Sequence, residues 1–442
     1  MFRLPLDLDD LPAPSRSALR WSQWDGILFS VMDGLAGGAS PALALYALAL
    51  GMPPLTIGLL ATLPILAGAL SQALSPALER LCGTRKRVVV LGCLVQALSW
   101  LGIPAVAGLP PGLGRQALLV GIVSAGSVGC SITVPSWGSW MGDLIPPTLR
   151  ARVFAWRVMP AYAVTGLSLL GMGLWMATCE GRPPEVLVAT FQGLFLAAAA
   201  ARLASVLCLW RQHEPPLGAA EVQDPPPERE RRASGFARVM LFFGLFHLVL
   251  FVSAPYFSPY MRLVGLSYLK ISVILAITWP AKMLFLPAWQ RAAARYGNRR
   301  VVLLSALLTS LLPWLWMVSA DWRYLMGIMV LNGMIWSGLE LCELPYLLDI
   351  TAPEERTRRL AAYFSFRSLC GCLGSVAGDG AMRGCHRLLP GAVSGLYLGT
   401  FLLSGMGRVA AVVWAWRRLP EPRQDPAAGR TRRILAEVLL RR

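Results

Sequence analysis

The chain has 442 residues, 55% of them hydrophobic and only 15% charged, with a mean hydropathy of +0.55. Soluble domains carry about 25% charged residues, so the expected solvent is lipid; and because the apolar runs do not alternate with polar residues, a membrane β-barrel is excluded. The net charge of +17 does not indicate a nucleic-acid partner, because the arginines fall in short clusters between apolar segments, the pattern of cytoplasmic loops.

A hydrocarbon core of about 30 Å takes roughly 20 apolar residues per helix. Twelve spans are predicted, at about 24–49, 54–78, 86–109, 114–144, 151–179, 186–210, 236–262, 267–292, 299–319, 322–350, 356–383 and 391–417. Ahead of the first, residues 1–23 read as a polar tail without a basic stretch leading into an apolar one, so no leader peptide is expected. Residues 211–235 hold Pro215, Pro216, Pro225, Pro226, Pro227 and the charge run from Glu228 to Arg232. They read as a linker between a six-helix bundle at 24–210 and a second at 236–417. After the last span, residues 418–442 form a tail in which Ile434, Leu435, Val438 and Leu439 share one helical face among arginines; such a helix would lie on an anionic leaflet, or the tail would fray. With both termini inside, 30 of the 41 basic residues fall on the inner side and 7 on the outer, which puts both termini in the cytoplasm. The nine cysteines form no CxxC pair and fall mostly in apolar runs, so neither disulfides nor a zinc site are expected.

The two halves repeat. Arg80, Gly83, Arg85 and Lys86 follow the second span; Arg295, Gly297, Arg299 and Arg300 follow the eighth, with Gly83 and Gly297 separated by 214 positions. Asp143, Pro147, Arg150 and Arg152 after the fourth span match Asp349, Pro353, Arg356 and Arg358 after the tenth, all at an offset of 206. Four identities at equivalent places indicate a parallel internal repeat.

On these residues the chain resembles the major facilitator superfamily, whose loop after the second helix reads Gly-x-x-x-Asp-Arg-x-Gly-Arg-Arg. Here Ser75 stands for the opening glycine, Glu79 for the aspartate with one extra residue before Gly83, and Ala294 occupies the acidic position of the second copy. The stretch from Trp137 through Trp140, Asp143, Arg150 and Phe154 to Arg157 is similar to the junction of helices 4 and 5 in bacterial members without assigned substrate. The resemblance covers about 24–417. It implies an all-α fold of six plus six helices, alternating access and a cytoplasmic latch in the loops, but no particular cargo. The Gly-Pro pair that drug antiporters often carry in helix 5 is missing.

An ionisable group at mid-membrane costs some 2.5–3.5 kcal/mol on insertion scales, so each needs a partner or a purpose. Asp33, near the middle of the first span, reads either as a substrate or proton site or as a helix-packing partner. Glu340 and Glu343 lie one turn apart on one face of the tenth span, where two carboxylates in low dielectric do not both ionise easily, which suits proton exchange; Lys282 of the eighth span is placed to neutralise one of them, alternatively as a static ion pair joining the eighth and tenth spans. Arg202 would meet an anionic cargo or serve as a structural partner. Arg367 and Arg408 read as helix-end residues able to snorkel. His247, a lone histidine within a span, reads as a packed donor more than as a proton relay, while Gln72, Gln96 and Asn332 fit a cavity lining and helix packing equally. Trp137, Trp140, Trp279 and Trp336 suit the interfacial belt better than a stacking surface. Asp143, Arg150 and Arg157, with Asp349 and Arg356, are expected to form cytoplasmic charge networks that break as the halves rock.

The predicted function is secondary active transport of a small solute across the cytoplasmic membrane, proton-coupled, by a monomer needing no cofactor or metal. No phosphate-binding loop is visible for ATP-driven pumping. The alternatives are a transporter-fold assembly factor or sensor and a lipid-acting enzyme; against the enzyme, the chain's three histidines form no catalytic or metal-binding cluster.

Overall fold

The computed structural model describes residues 13–37, 40, 42–178, 182–215, 226–266, 268–388 and 393–420. The C-terminal tail face, most of the N-terminal tail and linker residues 216–225 lie outside them. Among the described residues every regular element is helical. Hydrocarbon leaves no water to satisfy backbone N–H and C=O groups, and a helix satisfies them within itself.

Among the described residues sixteen α-helices build the twelve spans and their ends: α1 (Ala13–Leu35) and α2 (Ala42–Ala49) the first, α3 (Pro54–Ser71) the second, with the polar α4 (Ser75–Cys82) running on from it into the loop, then α5 (Arg85–Gly102), α6 (Leu113–Leu144), α7 (Arg150–Ala177) and α8 (Pro184–Arg211). In the second half, α9 (Pro226–Ser253) and α10 (Phe257–Leu263) make the seventh span, α11 (Tyr268–Ala276) and α12 (Thr278–Tyr296) the eighth, followed by α13 (Asn298–Leu315), α14 (Trp322–Asp349), α15 (Arg356–Leu388) and α16 (Val393–Trp416). Nine helical stretches among the described residues are individually long and apolar enough to cross a membrane. The first span is instead broken between α1 and α2, the second by a 3₁₀ turn at Gln72–Leu74, and the ninth starts on Arg299 and Arg300. Two polar stretches are more helical than expected. α1 begins at Ala13, inside the predicted tail, and α9 begins at Pro226, so the charge run Glu228–Arg232 sits on helix rather than in a loop.

The chain divides into two compact units. One comprises residues 1–145, 156–218 and 353–365; the other 146–155, 219–352 and 366–442. The first turns of α7 therefore count with the second unit, and those of α15 with the first. Within the first unit α1 and α5 pack on α8, and α5 and α3 on α6. Within the second, α9 and α13 pack on α16, and α13 and α12 on α14. The same four pairings in the same order are the sequence repeat expressed as packing. The repeated glycines express it as backbone. Gly83 closes α4 at φ +79° and Gly297 closes α12 at φ +84°, a region where any Cβ clashes with the carbonyl. Their N–H groups donate to Glu79 O (2.8 Å) and Ala293 O (2.9 Å).

Each unit has its own aromatic core. In the first, Tyr46 meets Phe195 edge-on at 5.1 Å with Phe191 beside it; in the second, Phe257 stacks on Phe401 at 4.7 Å against Trp316. Leu113, Leu174 and Val376 are more than 70% exposed, as side chains facing lipid should be.

Candidate functional site

Three groups of charged residues sit where an apolar fold would be cheaper to build. The first lies inside the first unit. Asp25 of α1 is 4% exposed and accepts from Arg157 of α7 at 3.0 Å and from the Ser205 hydroxyl of α8 at 2.7 Å. Arg202, also 4% exposed, donates to Gln96 Oε1 (2.8 Å), Ser205 Oγ (2.9 Å) and Cys93 Sγ (2.9 Å), with its guanidinium 3.9 Å from Asp25. Arg157 also donates from Nε to the carbonyl and hydroxyl of Ser22 (both 3.1 Å) and lies over Trp137 at 4.5 Å. Two cations thus share one carboxylate, and neutral acceptors spread the remaining charge. Asp33 sits two turns further along α1, above Gly37, where any larger side chain would run into its carboxylate.

The second group lies in the second unit. Lys282 donates to both oxygens of Glu340 (2.7 and 2.9 Å) and lies over the Trp279 ring at 4.8 Å. Glu343 pairs with Arg367 of α15. The two glutamates are each met by a cation from a different helix, Glu340 by Lys282 of α12 and Glu343 by Arg367 of α15. Arg367 is correspondingly no snorkelling residue. Nor is Arg408, which is 2% exposed and donates to Ser404 Oγ (3.1 Å), Thr309 O (3.1 Å) and Ser253 Oγ (2.9 Å), pinning α16 to α13 and α9. His247 holds its own helix, Nδ1 lying 2.9 Å from Phe243 O, with its ring against Phe243 and Phe246. Asn332 and Trp336 are half-buried on α14.

The third group is at the loops. Asp143 takes Arg85 and Arg356; Asp349 takes Arg150 (2.7 Å) and Asn298 (2.8 Å). The expected network of Asp143, Arg150 and Arg157 is thus re-sorted. Each repeated aspartate binds the arginine of the other copy, while Arg157 turns inward to Asp25. Arg85 is 1% exposed and also bonds Glu214 through its backbone N–H (3.0 Å) and Nε (3.3 Å). Of the other loop-motif residues, Arg80 is exposed and Arg299 caps α16 through Trp416 O (2.8 Å) and Leu419 O (3.2 Å). Glu79, just past the second span, has its carboxyl pushed above the ordinary range by burial, a trend the hydroxyls of Ser136 and Thr357 and the charge of Arg85 oppose. Trp140 is fully buried and donates to His213 O (3.1 Å), so it packs inside the protein and does not form a belt.

Sequence reasoning passed over Asp25, Ser205, Glu214 and Asn298. Asp25 lies at the edge of the predicted first span, where a carboxylate needs no explanation, and Ser205 is too common a residue type to stand out. One signal was present. Arg202 and Arg408 differ by 206, the offset that relates Asp143 to Asp349.

The sequence matches the family model of the Major Facilitator Superfamily over residues 26–279 and 239–442. No curated protein matches it. Among solved structures the chain is similar to the E. coli proton:xylose symporter XylE, with a TM-score of 0.71 and 14% identity over 92% of this chain and 96% of that one. It is also similar to the human organic anion transporter MFSD10 (TM-score 0.63, 18% identity, 90% and 100% covered). A bacterial homologue of the iron transporter ferroportin in an outward-facing state scores 0.65 at 14% identity, covering 90% and 98%. At such identities the likeness concerns the fold.

Proposed function

Because the chain belongs to the Major Facilitator Superfamily, an integral membrane family of transporters rather than enzymes, we propose that it is a proton-coupled secondary transporter of a small solute, working by alternating access in the cytoplasmic membrane with both termini inside. The observation that carries this reading is the crossed pairing of the repeated motif, Asp143 with Arg356 and Asp349 with Arg150. α7 and α15 each begin in one unit and end in the other, so these pairs hold the first turns of two connecting helices. Movement of one unit against the other would load those turns. Breaking these two charge-assisted pairs and remaking them is a two-position device. For proton coupling, the supporting features are carboxylates kept inside spans, Asp25 between two arginines and Glu340 on Lys282. XylE, a proton:xylose symporter by name, has a similar fold.

The test is solute-driven proton movement in proteoliposomes loaded with a pH-sensitive dye, using pooled amino acids, sugars and organic acids, for the parent and for Asp25→Asn, Asp33→Asn and Glu340→Gln. The expected result is an acid shift with at least one pool that Glu340→Gln or Asp25→Asn abolishes. Solute uptake indifferent to the proton gradient in all variants removes the coupling. A solute that binds and never crosses favours a sensor or assembly factor instead.

A further inference from the structure

We propose that the face of the second unit formed by Lys282, Glu340, Glu343 and Arg367 binds a dipolar solute, one carrying both an ammonium and a carboxylate. This rests on the transport reading above and adds the substrate class to it. The two ion pairs are arranged in opposite senses. In the first, Lys282 is the enclosed member, 10% exposed, and Glu340 the open one at 37%. In the second, Glu343 is enclosed at 13% and Arg367 more open at 27%. The face therefore presents one carboxylate and one guanidinium.

Their positions are fixed by the helix. Glu340 and Glu343 are separated by three residues on α14, so their Cβ atoms lie about 5–6 Å apart, and Arg367 is held on Glu343. The more open acid, Glu340, and the base held on Glu343 are thus tied to neighbouring positions on one face of α14. Trp279 covers the Lys282 ammonium at 4.8 Å, holding that cation against Glu340 and giving the face one apolar wall. The four formal charges cancel, so the face has no net attraction for a cation or an anion. A solute with a single charge would satisfy one outward group and confront the other with its like charge or with nothing. An uncharged solute would gain little from either. A dipolar solute satisfies both, its ammonium on Glu340 and its carboxylate on Arg367. The open charges also require a wet face, since hydrocarbon against two partly exposed ionised groups is costly.

The experiment is a titration of the purified full-length chain in detergent, followed by tryptophan fluorescence and thermal unfolding. The probes are the common α-amino acids and the ω-amino acids from β-alanine to 6-aminohexanoate, against hexanoate, hexylamine and glucose. At least one dipolar compound should bind saturably, at least tenfold more tightly than any of the three controls. Glu340→Gln and Arg367→Gln should each weaken it tenfold or more, while Glu340→Asp and Arg367→Lys, which keep the charges, retain it. Three results would overturn the proposal: no saturable response to any dipolar compound, equal binding of hexanoate or hexylamine, or undiminished binding in both neutral variants. Uptake of the bound compound into proteoliposomes is scored separately. Binding without uptake sinks the transport reading alone, and uptake of a singly charged control in place of dipolar compounds sinks the substrate class alone.

Discussion

Removing the carboxylate of Asp25 should do more damage than removing any other acidic group of the first unit. Asp25 is 4% exposed, with Arg157 at 3.0 Å and Arg202 at 3.9 Å. At an effective dielectric constant of 20, a pair of unit charges 4 Å apart is worth about 4 kcal/mol. Two such attractions are offset by the several kcal/mol lost on desolvating each ion. Asp25→Asn keeps the shape and the acceptor for Ser205 but leaves both guanidiniums without their shared anion, and the expected loss is about 3–5 kcal/mol, the range for breaking a buried pair. The assay is reversible unfolding of the purified protein in mixed micelles by a denaturing detergent, with Asp33→Asn alongside. Asp25→Asn/Arg157→Gln should be more stable than the sum of its two single variants by about 1–3 kcal/mol, the coupling expected of groups in one network. A loss below about 0.5 kcal/mol for Asp25→Asn, or strict additivity in the double variant, would refute the claim that this carboxylate neutralises the first unit's arginines.

Three further outcomes are expected. Reversing the charges of Asp143 alone should destabilise the chain, because Arg85 and Arg356 both lose their anion; Asp143→Arg with Arg356→Asp should restore part of the loss, whereas Asp143→Arg with Arg150→Asp should not. Melting temperatures of the parent and these three variants decide this. Gly83→Ala should cost about 1–2 kcal/mol, since it forces a Cβ into the left-handed region, and Gly297→Ala about 1–3 kcal/mol, since φ +84° with ψ +153° is a conformation essentially confined to glycine; the same micelle unfolding measures both, and a neutral result would mean the turns relax freely. For Glu79 the folded carboxyl titrates above its ordinary value of 4.5 because burial disfavours the charge. The protonated form is therefore favoured in the folded state: its stabilisation is complete below the ordinary value and is lost as pH rises through the raised one. Glu79→Gln should flatten the fall in melting temperature as pH rises above about 4.5; an unchanged slope would assign it to another group.

Much of the architecture was legible in the residues because lipid imposes a simple rule. A segment apolar all round for twenty residues must be a helix, and each predicted span corresponds to one helix or to two consecutive ones. The repeat was legible too, in Gly83 and Gly297, which both end a helix at positive φ, and in the two Asp–Arg motifs. The helical starts at Ala13 and Pro226 were not, since polar charged turns carry no hydropathy signal.

Among the site residues, the sequence selected Lys282 and Glu340 and placed the lysine to neutralise a glutamate, because ions inside spans demand partners. It also marked Arg202 and Asp143 as needing explanation. The sequence did not contain the pairing rules. Periodicity places Glu340 and Glu343 on one face but cannot say that α12 supplies a cation to one and α15 to the other. Proximity in the chain suggested that Asp143 would join Arg150, seven residues away; in the folded protein that aspartate joins Arg356, more than two hundred residues on. An ion in a low-dielectric interior is settled by whichever counter-charge comes within about 4 Å, and that depends on which helix turns its face toward it. Spans follow from a one-dimensional match between residue and solvent, and the repeat from residues recurring at a fixed offset. Who neutralises whom was decided only when the helices packed.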